Sequence, residues 1–556
     1  MRFALFLLLL PLLQHASLAI DPTCSAATNL TREALAYLSA LPTRGSASSH
    51  RLGTSLPLGS FRASSPGNAR RVAVAAAVAD AWDAYAAAAW GRDELLPLSN
   101  AGADTFAEGL GTTIVDSLST LYILGGLDGR YEAARAWVLE SLDFGKVGRV
   151  VVFETVIRIL GGLVSIYHLS GDEMYLFKAE ELGARLAAGF ETPSGLPWPR
   201  CYLNETGRCE RHRHMDDALY LAEVGSVQLE YRALSHHSKH PLCKKMRGVT
   251  ERIIDKLQTA RSSAVRMSGR HAVLLPYAML RTTGMYCTNM VTAGAPADSY
   301  FEYLVKVWVQ GGKKEKVYWE LFARVVDSMV EIGSYTSRYG DTIMRDMLPS
   351  SDDKVHFSHK MDHFACYIPG MIVLGLDGLR AEETERRARW VMFAENITET
   401  CYKMYAKSPS GLAGEHIRLN QEDKWKMSGG YQLRPEAVEA FFYMWRLTKK
   451  DKYREYAWTV FERIQQHCKV EGGGYAALRT AKSRHPKKED VMHSFLISET
   501  FKYLYLIFGD DEKELPLDKW VFNTEAHPLL VTPGLSEGVE EGERREVAAE
   551  SGHDEL

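Results

Sequence analysis

The chain of 556 residues carries 66 Lys+Arg against 70 Asp+Glu, a formal net charge of −4, and 46% of its residues are hydrophobic. A balance so near neutral leaves no electrostatic footprint for nucleic acid, and 20 prolines and 44 glycines exclude a collagen-like or globally disordered chain. The apolar content supports a sizeable core, and the length fits two to four average domains or one large enzyme domain.

Met1-Arg2, the apolar run Phe3 to Leu13 and Ser17-Leu18-Ala19 read as a secretory signal peptide over residues 1–19. A run of about 11 residues is too short to span a bilayer of about 30 Å, which disfavours a signal anchor. Residues 20–70 read as irregular, with the loop-forming clusters Gly45–Ser49 and Ser64–Gly67. From about Arg71 to Pro528 the pattern is mostly helical. Val72–Trp90 opens it, and Phe153–His168 follows, with Val156, Ile157, Leu160 and Leu163 at helical spacing before Gly171. Ser299–Val309 stops at Gly311-Gly312, and Glu436–Leu447 starts after Pro435, a favoured first helical residue. No stretch beyond the N-terminus reaches the roughly 18 apolar residues of a transmembrane helix. Residues 529–556 form an acidic tail ending in His553-Asp554-Glu555-Leu556, the form of an ER-retention address. The two ends together predict a protein of the ER lumen that is not integral to the membrane. Sequons at Asn29, Asn204 and Asn396 agree. The eight cysteines include no CxxC, so neither a zinc ribbon nor a thioredoxin-like site is indicated. In an oxidising lumen some should pair, in an order that spacing does not decide.

A weak repeat joins Leu169-Ser170-x4-Tyr175-x3-Ala179 to Leu447-Thr448-x4-Tyr453-x3-Ala457, with a looser copy over Leu124–Arg135. Recurrent helix–turn–helix units point to a closed α/α barrel or a solenoid. Glu154, Asp298 and Glu436 each stand at the start of an apolar-patterned helix. Acids there are favoured by the helix dipole and by capping. Their flanks, Val151-Val152-Phe153, Ala295-Pro296-Ala297 and Arg434-Pro435, argue instead for desolvated carboxylates held for chemistry. A barrel would gather such helix ends on one face, and paired carboxylates about a sugar ring are the chemistry of glycoside hydrolysis. A late cluster, Phe522-Asn523-Thr524-Glu525-Ala526-His527-Pro528, and His363 before an apolar run are further polar sites. Walker, HExxH and EF-hand patterns are missing, which disfavours nucleotide and zincin chemistry.

The motifs Trp90–Leu95, Phe153–Gly162, Ala297–Tyr303, Lys360–His363, Leu433–Glu436 and Phe522–Pro528 stand in one order. In them, over about Ala81 to Pro528, the chain resembles the class I α-1,2-mannosidases, glycoside hydrolase family 47. The resemblance implies an all-α (α/α)7 barrel over residues 71–528, plugged by a small β-hairpin near Thr524. It implies inverting exo-hydrolysis of terminal α-1,2-linked mannose from high-mannose N-glycans, with bound Ca2+. Glu154 would be the general acid, acting through a water. Glu436 would be the general base, with Asp298 the other candidate for that role. Thr524 would bind calcium through carbonyl and hydroxyl, with waters held by Glu439, Glu499 and Glu525. Arg158, Glu223, His363, Arg434 and Phe495 would shape the sugar subsites, and Cys366–Cys401 would match the family disulfide.

Three positions depart from the family pattern. Pro296 replaces an arginine that helps choose the branch in ER-type members, which leans towards broader trimming. Met215 stands where an aromatic is common, and His493 where an acid is common. Two readings follow: a trimming hydrolase, or a soluble ER degradation factor of the same superfamily. The latter marks or binds misfolded client glycoproteins with a partner such as an ER oxidoreductase. The Phe522–Pro528 motif fits the processing enzymes better.

Overall fold

The structure is a computed structural model describing residues 29–41, 68–125, 129–211, 217–262, 267–350, 354–509 and 514–536. The signal peptide, Met215, most of the acidic tail and the terminal HDEL lie outside the described residues.

Apart from an N-terminal helix α1 (Asn29–Ala40), the long helices alternate between two rings. The outer ring is α2 (Ala69–Ala88), α4 (Arg130–Glu140), α6 (Glu173–Ala187), α8 (Pro241–Thr259), α10 (Lys316–Ser328), α12 (Thr384–Ala406) and α14 (Lys452–His467). The inner ring is α3 (Thr112–Ile123), α5 (Val152–Ser170), α7 (Gln228–His237), α9 (Asp298–Gln310), α11 (Ile368–Gly375), α13 (Glu436–Thr448) and α15 (Phe501–Ile507, entered through a π-turn Leu496–Thr500). Each inner helix packs on the next and α3 packs against the π-turn of α15, which closes the ring. This is the (α/α)7 barrel.

The two rings differ in sequence because they solve different burial problems. Outer helices such as α10 are amphipathic, with one apolar stripe towards the core. Inner helices are buried almost all round: every residue of α9 after Asp298 is buried, charged ones included. Such a helix turns apolar side chains to its neighbours, while its few charged groups must find partners in the interior. Asp116, Arg158, Glu230, Arg232, Glu302, Lys306, Glu439, Glu499 and Lys502 are among the buried charges of this inner ring.

The hairpin of Trp520–Phe522 and Pro528–Leu530 docks against α5, α7 and α9. Ser165 Oγ donates to the Pro528 carbonyl (2.8 Å), and the Leu530 N–H donates to His168 Nδ1 (3.1 Å). Its turn, Asn523–His527, is therefore carried into the barrel interior.

Three expectations are corrected. The stretch 20–70 is not irregular throughout, because α1 occupies Asn29–Ala40. The Glu191 carboxylate accepts from Leu30 N–H (2.5 Å), Thr31 N–H (3.0 Å) and the Thr31 hydroxyl (2.7 Å), satisfying free donors at the helix start. A cap supplied from 160 residues away leaves no local signature. The helix read as Phe153–His168 extends over Val152–Ser170 and contains a π-turn, Thr155–Leu160. At that length it is long and apolar enough to cross a membrane by composition, contrary to the expectation, yet most of it is buried inside the barrel. The Cys366–Cys401 bridge is present as expected, joining the turn before α11 to α12, and a second bridge, Cys201–Cys209, clamps the adjoining strands Arg200–Tyr202 and Cys209–Glu210.

The plug constrains the pH range of stability. Burial, with the adjacent His237 and His236, holds His168 well below the usual imidazole value, and burial with His236 pushes His237 down to about 4. The unfolded chain therefore binds more protons than the folded one below about pH 6.5, so stability is intact above that pH and lost as pH falls towards about 4. Urea unfolding between pH 7 and 4.5 should show this decline. His168→Leu should flatten it by up to about 1.4 kcal/mol per pH unit.

Candidate active site

The three acids singled out in the sequence sit at the same end of inner helices. Glu154 ends the first turn of α5, Asp298 opens α9 and Glu436 opens α13. Neutral caps would have filled these positions equally well for the helix. These side chains instead face other charges.

Glu154 Oε2 accepts from Arg158 Nε (2.8 Å), one turn along α5. The same guanidinium donates from Nη1 to Glu525 Oε2 (2.6 Å) in the plug turn and lies 3.5 Å from Asp116 Oδ2. Burial alone would depress Arg158, but Glu525, Glu154 and Asp116 outweigh it and hold the group well above the ordinary guanidinium value. The rings of Phe106 and Phe495 lie 5.1 and 5.8 Å from its guanidinium carbon. Arg158 thus fixes the distance between the α5 acid and the plug, and Phe495 helps wall it in.

On the other side, Glu436 Oε2 contacts His363 Nδ1 (2.9 Å), and His363 Nε2 contacts the Tyr405 hydroxyl (2.8 Å). Asp298 accepts its own helix N–H from Ser299 (2.8 Å). Burial lifts the Asp298 carboxyl well above the usual range, with Glu302 and Glu436 adding and Arg434 opposing. Arg434 forms a two-point pair with Glu415 (3.0 and 2.8 Å) over the ring of Phe364. Its guanidinium is a fixed positive wall beside Asp298 and Glu436.

Deeper lie Glu302, Glu439, Glu499 and Glu525. Lys306 contacts Glu302, lies 3.7 Å from Glu439 Oε1 and donates to the Asn523 carbonyl (3.2 Å). Burial pushes Glu439 up to about 8, with Glu302 and Glu436 adding and Lys306 opposing. Glu499 is raised well above the carboxylate range by burial, then by Glu525 and Glu436. Glu525 is raised likewise by burial despite Arg158. Carboxylates outnumber cations here, and the excess is electrostatic strain.

Glu223 is placed differently from the other acids. Its carboxylate accepts the Tyr220 N–H (3.2 Å) as a helix cap, one segment away from Asp298 through the Ala222 N–H to Pro296 carbonyl bond (3.0 Å). Pro296 thus offers no cation beside Asp298. His493 does not stand alone: Nδ1 contacts Glu94 Oε1 (2.7 Å) and the ring stacks on Phe495.

Sequence reasoning missed Glu302 and Lys306, although they follow Asp298 at four and eight residues on the same helix face. Runs of aromatic and aliphatic neighbours made them resemble incidental charges. It also missed Asp116, which reaches His527 Nε2 (3.0 Å) from the middle of an apolar helix. Hydrophobic periodicity carries no signal for such a residue.

A family model described as glycosyl hydrolase family 47 matches residues 77–531. Among curated proteins, the rat endoplasmic reticulum mannosyl-oligosaccharide 1,2-alpha-mannosidase is 38% identical, over 84% of this chain and 69% of its own. The Arabidopsis thaliana mannosyl-oligosaccharide 1,2-alpha-mannosidase MNS1 is 36% identical, over 83% of this chain and 79% of its own. An alpha-1,2-mannosidase structure from Trichoderma reesei superposes with a TM-score of 0.75 at 24% identity, covering 84% of this chain and all of that one, a likeness of fold.

Removing Lys306 should expose the charge imbalance. Lys306→Met in metal-free buffer should cost about 3–5 kcal/mol in urea unfolding, because Glu302 and Glu439 lose their cation. Adding Glu302→Leu to that variant should restore much of the loss. A loss below about 1 kcal/mol in the single variant would show that the charges are not coupled.

Proposed function

The chain belongs to glycosyl hydrolase family 47, and from that premise we propose that it removes terminal α-1,2-linked mannose from high-mannose N-glycans with inversion. The observation that carries this reading is the convergence of Glu154, Asp298 and Glu436 from three separate helix starts on one charged interior. Glu154, held by Arg158, gives its proton through a water to the leaving glycosidic oxygen as the bond from the anomeric carbon breaks. Glu436, held by His363, takes a proton from the water that attacks that carbon from the opposite face. Burial and the neighbouring Glu302 and Glu436 drive the Asp298 carboxyl towards the protonated form, in which it cannot take the proton of the attacking water, and this favours Glu436 for that role. The product is β-mannose. The relatives' names and the two terminal signals support work in the ER, and the lack of a cation at Pro296 favours trimming of more than one linkage.

The reading includes a calcium ion. The donor set fits a hard cation: Thr524 offers a carbonyl and a hydroxyl, and Glu439, Glu499 and Glu525 supply only oxygen. Their carboxyls are lifted by burial together with neighbouring acids, and a divalent charge would relieve that strain. Thr524 would hold the ion, and the three glutamates would hold its waters. When bound, calcium supplies a fixed positive charge that orients sugar hydroxyls.

Glu154→Gln, Asp298→Asn and Glu436→Gln should each lower kcat by at least about a hundredfold on a high-mannose glycan while the protein stays folded. Simple capping roles would instead cost about 0.5–2 kcal/mol of stability with kcat nearly intact. Early NMR spectra of the released sugar should show the β anomer; initial α-mannose would mean a covalent intermediate and would sink the mechanism. Exhaustive chelation should abolish turnover and lower the melting temperature, since a ligand held only by the folded state stabilises it. Full activity and unchanged melting after stripping would remove calcium from the reading.

A further inference from the structure

Asn523 has no place in the chemistry above, yet it is fully buried and every polar atom it carries is engaged. Its Oδ1 accepts the Glu525 and His527 N–H groups, both at 2.9 Å, and its own N–H donates to the His527 carbonyl (3.0 Å). These bonds shape the turn that presents Thr524. Its Nδ2 points the other way, donating to Glu230 Oε1 (2.8 Å) and to the Ile157 carbonyl (2.8 Å).

The Ile157 carbonyl is free to accept because of the π-turn in α5. In an α-helix the Gly161 N–H would bond to Ile157; here it bonds to the carbonyls of Val156 and Arg158 and passes Ile157 over. Gly161 also makes the approach possible, since a Cβ there would lie 2.7 Å from Asn523 Nδ2. A second anchor acts on Thr524 itself. Its N–H reaches the Tyr303 hydroxyl (3.4 Å), which donates to the same Glu230 Oε1 (2.7 Å).

We infer that Asn523 is a positioning residue that fixes the cation-holding turn to the helix of Glu154 and Arg158, through the Ile157 carbonyl and, with Tyr303, through Glu230. The inference rests on the calcium reading above. The π-turn then has a definite use: it releases one carbonyl at the point where α5 must grip the plug. The pair Arg158–Glu525 spans the same two elements, so turn and acid are set in one frame.

The test uses the full chain stripped of metal. Asn523→Asp keeps Oδ1 for the turn but replaces the Nδ2 donor with an acceptor facing Ile157 and Glu230. Tyr303→Phe is a milder variant that carries the test if the first does not fold. Calcium binding is read by isothermal titration, stability by melting in EDTA, and turnover at saturating calcium. Asn523→Asp should weaken calcium binding at least tenfold and Tyr303→Phe several-fold, with kcat lowered and metal-free melting within a few degrees of wild type. An added negative charge alone would tighten a cation, so weaker binding reports the lost anchor. Calcium affinity within twofold of wild type in a folded variant, or tighter, would overturn the inference. So would a loss of stability in EDTA with calcium affinity unchanged. If the wild-type chain itself takes up no calcium, the calcium reading falls first and this inference with it, an outcome distinct from a failure of the variants alone.

Discussion

The excess of buried carboxylates over cations on the barrel axis is the constraint to which the rest of the structure answers. Glu302, Glu439, Glu499 and Glu525 could not remain together in an apolar interior without compensation. Lys306 and Arg158 each serve more than one of them, and Arg434 is tied by Glu415 in a fixed orientation. The inner ring of helices provides enough surrounding apolar contact to hold this arrangement against its own repulsion. On the reading proposed above, a bound hard cation would relieve the same repulsion.

The geometry also separates roles among like groups. Glu154 and Glu436 are each held by a close partner, Arg158 and His363. Asp298 shares its surroundings with two other acids and is driven towards neutrality. Lys502, buried deeper, is pushed down to about 7 by burial against the pull of Asp116, Glu499 and Glu525. Environment, more than residue type, distinguishes these positions.

Much of this was legible in the sequence, for physical reasons that differ by residue. The helices Ala69–Ala88, Asp298–Gln310 and Glu436–Thr448 announce themselves by apolar pattern and by stop signals such as Gly311. The three acids were visible because they interrupt apolar flanks. Where pairing is distant, the sequence is silent: Glu191 capping α1, Glu415 holding Arg434 and Asp116 meeting His527 are each unremarkable in their local windows. The π-turn of α5 is another case, since Thr155–Leu160 reads as ordinary helix until Asn523 is placed beside it. The Cys201–Cys209 bridge joins two short strands whose pairing no periodicity predicts.

The hairpin that completes the interior comes late in the chain. Glu525 meets Arg158 across 367 residues, and Asn523 meets Ile157 across 366. During synthesis the helices bearing Glu154, Asp298 and Glu436 are made long before their plug, so the barrel lacks its central filling until the chain is nearly complete. On the proposed mechanism, catalytic competence waits on the C-terminal segment, which carries Thr524 and Glu525. A chain halted before Trp520 would hold every proposed proton-transfer group and remain inert, which ties the onset of activity to completion of translation rather than to the folding of any one helix.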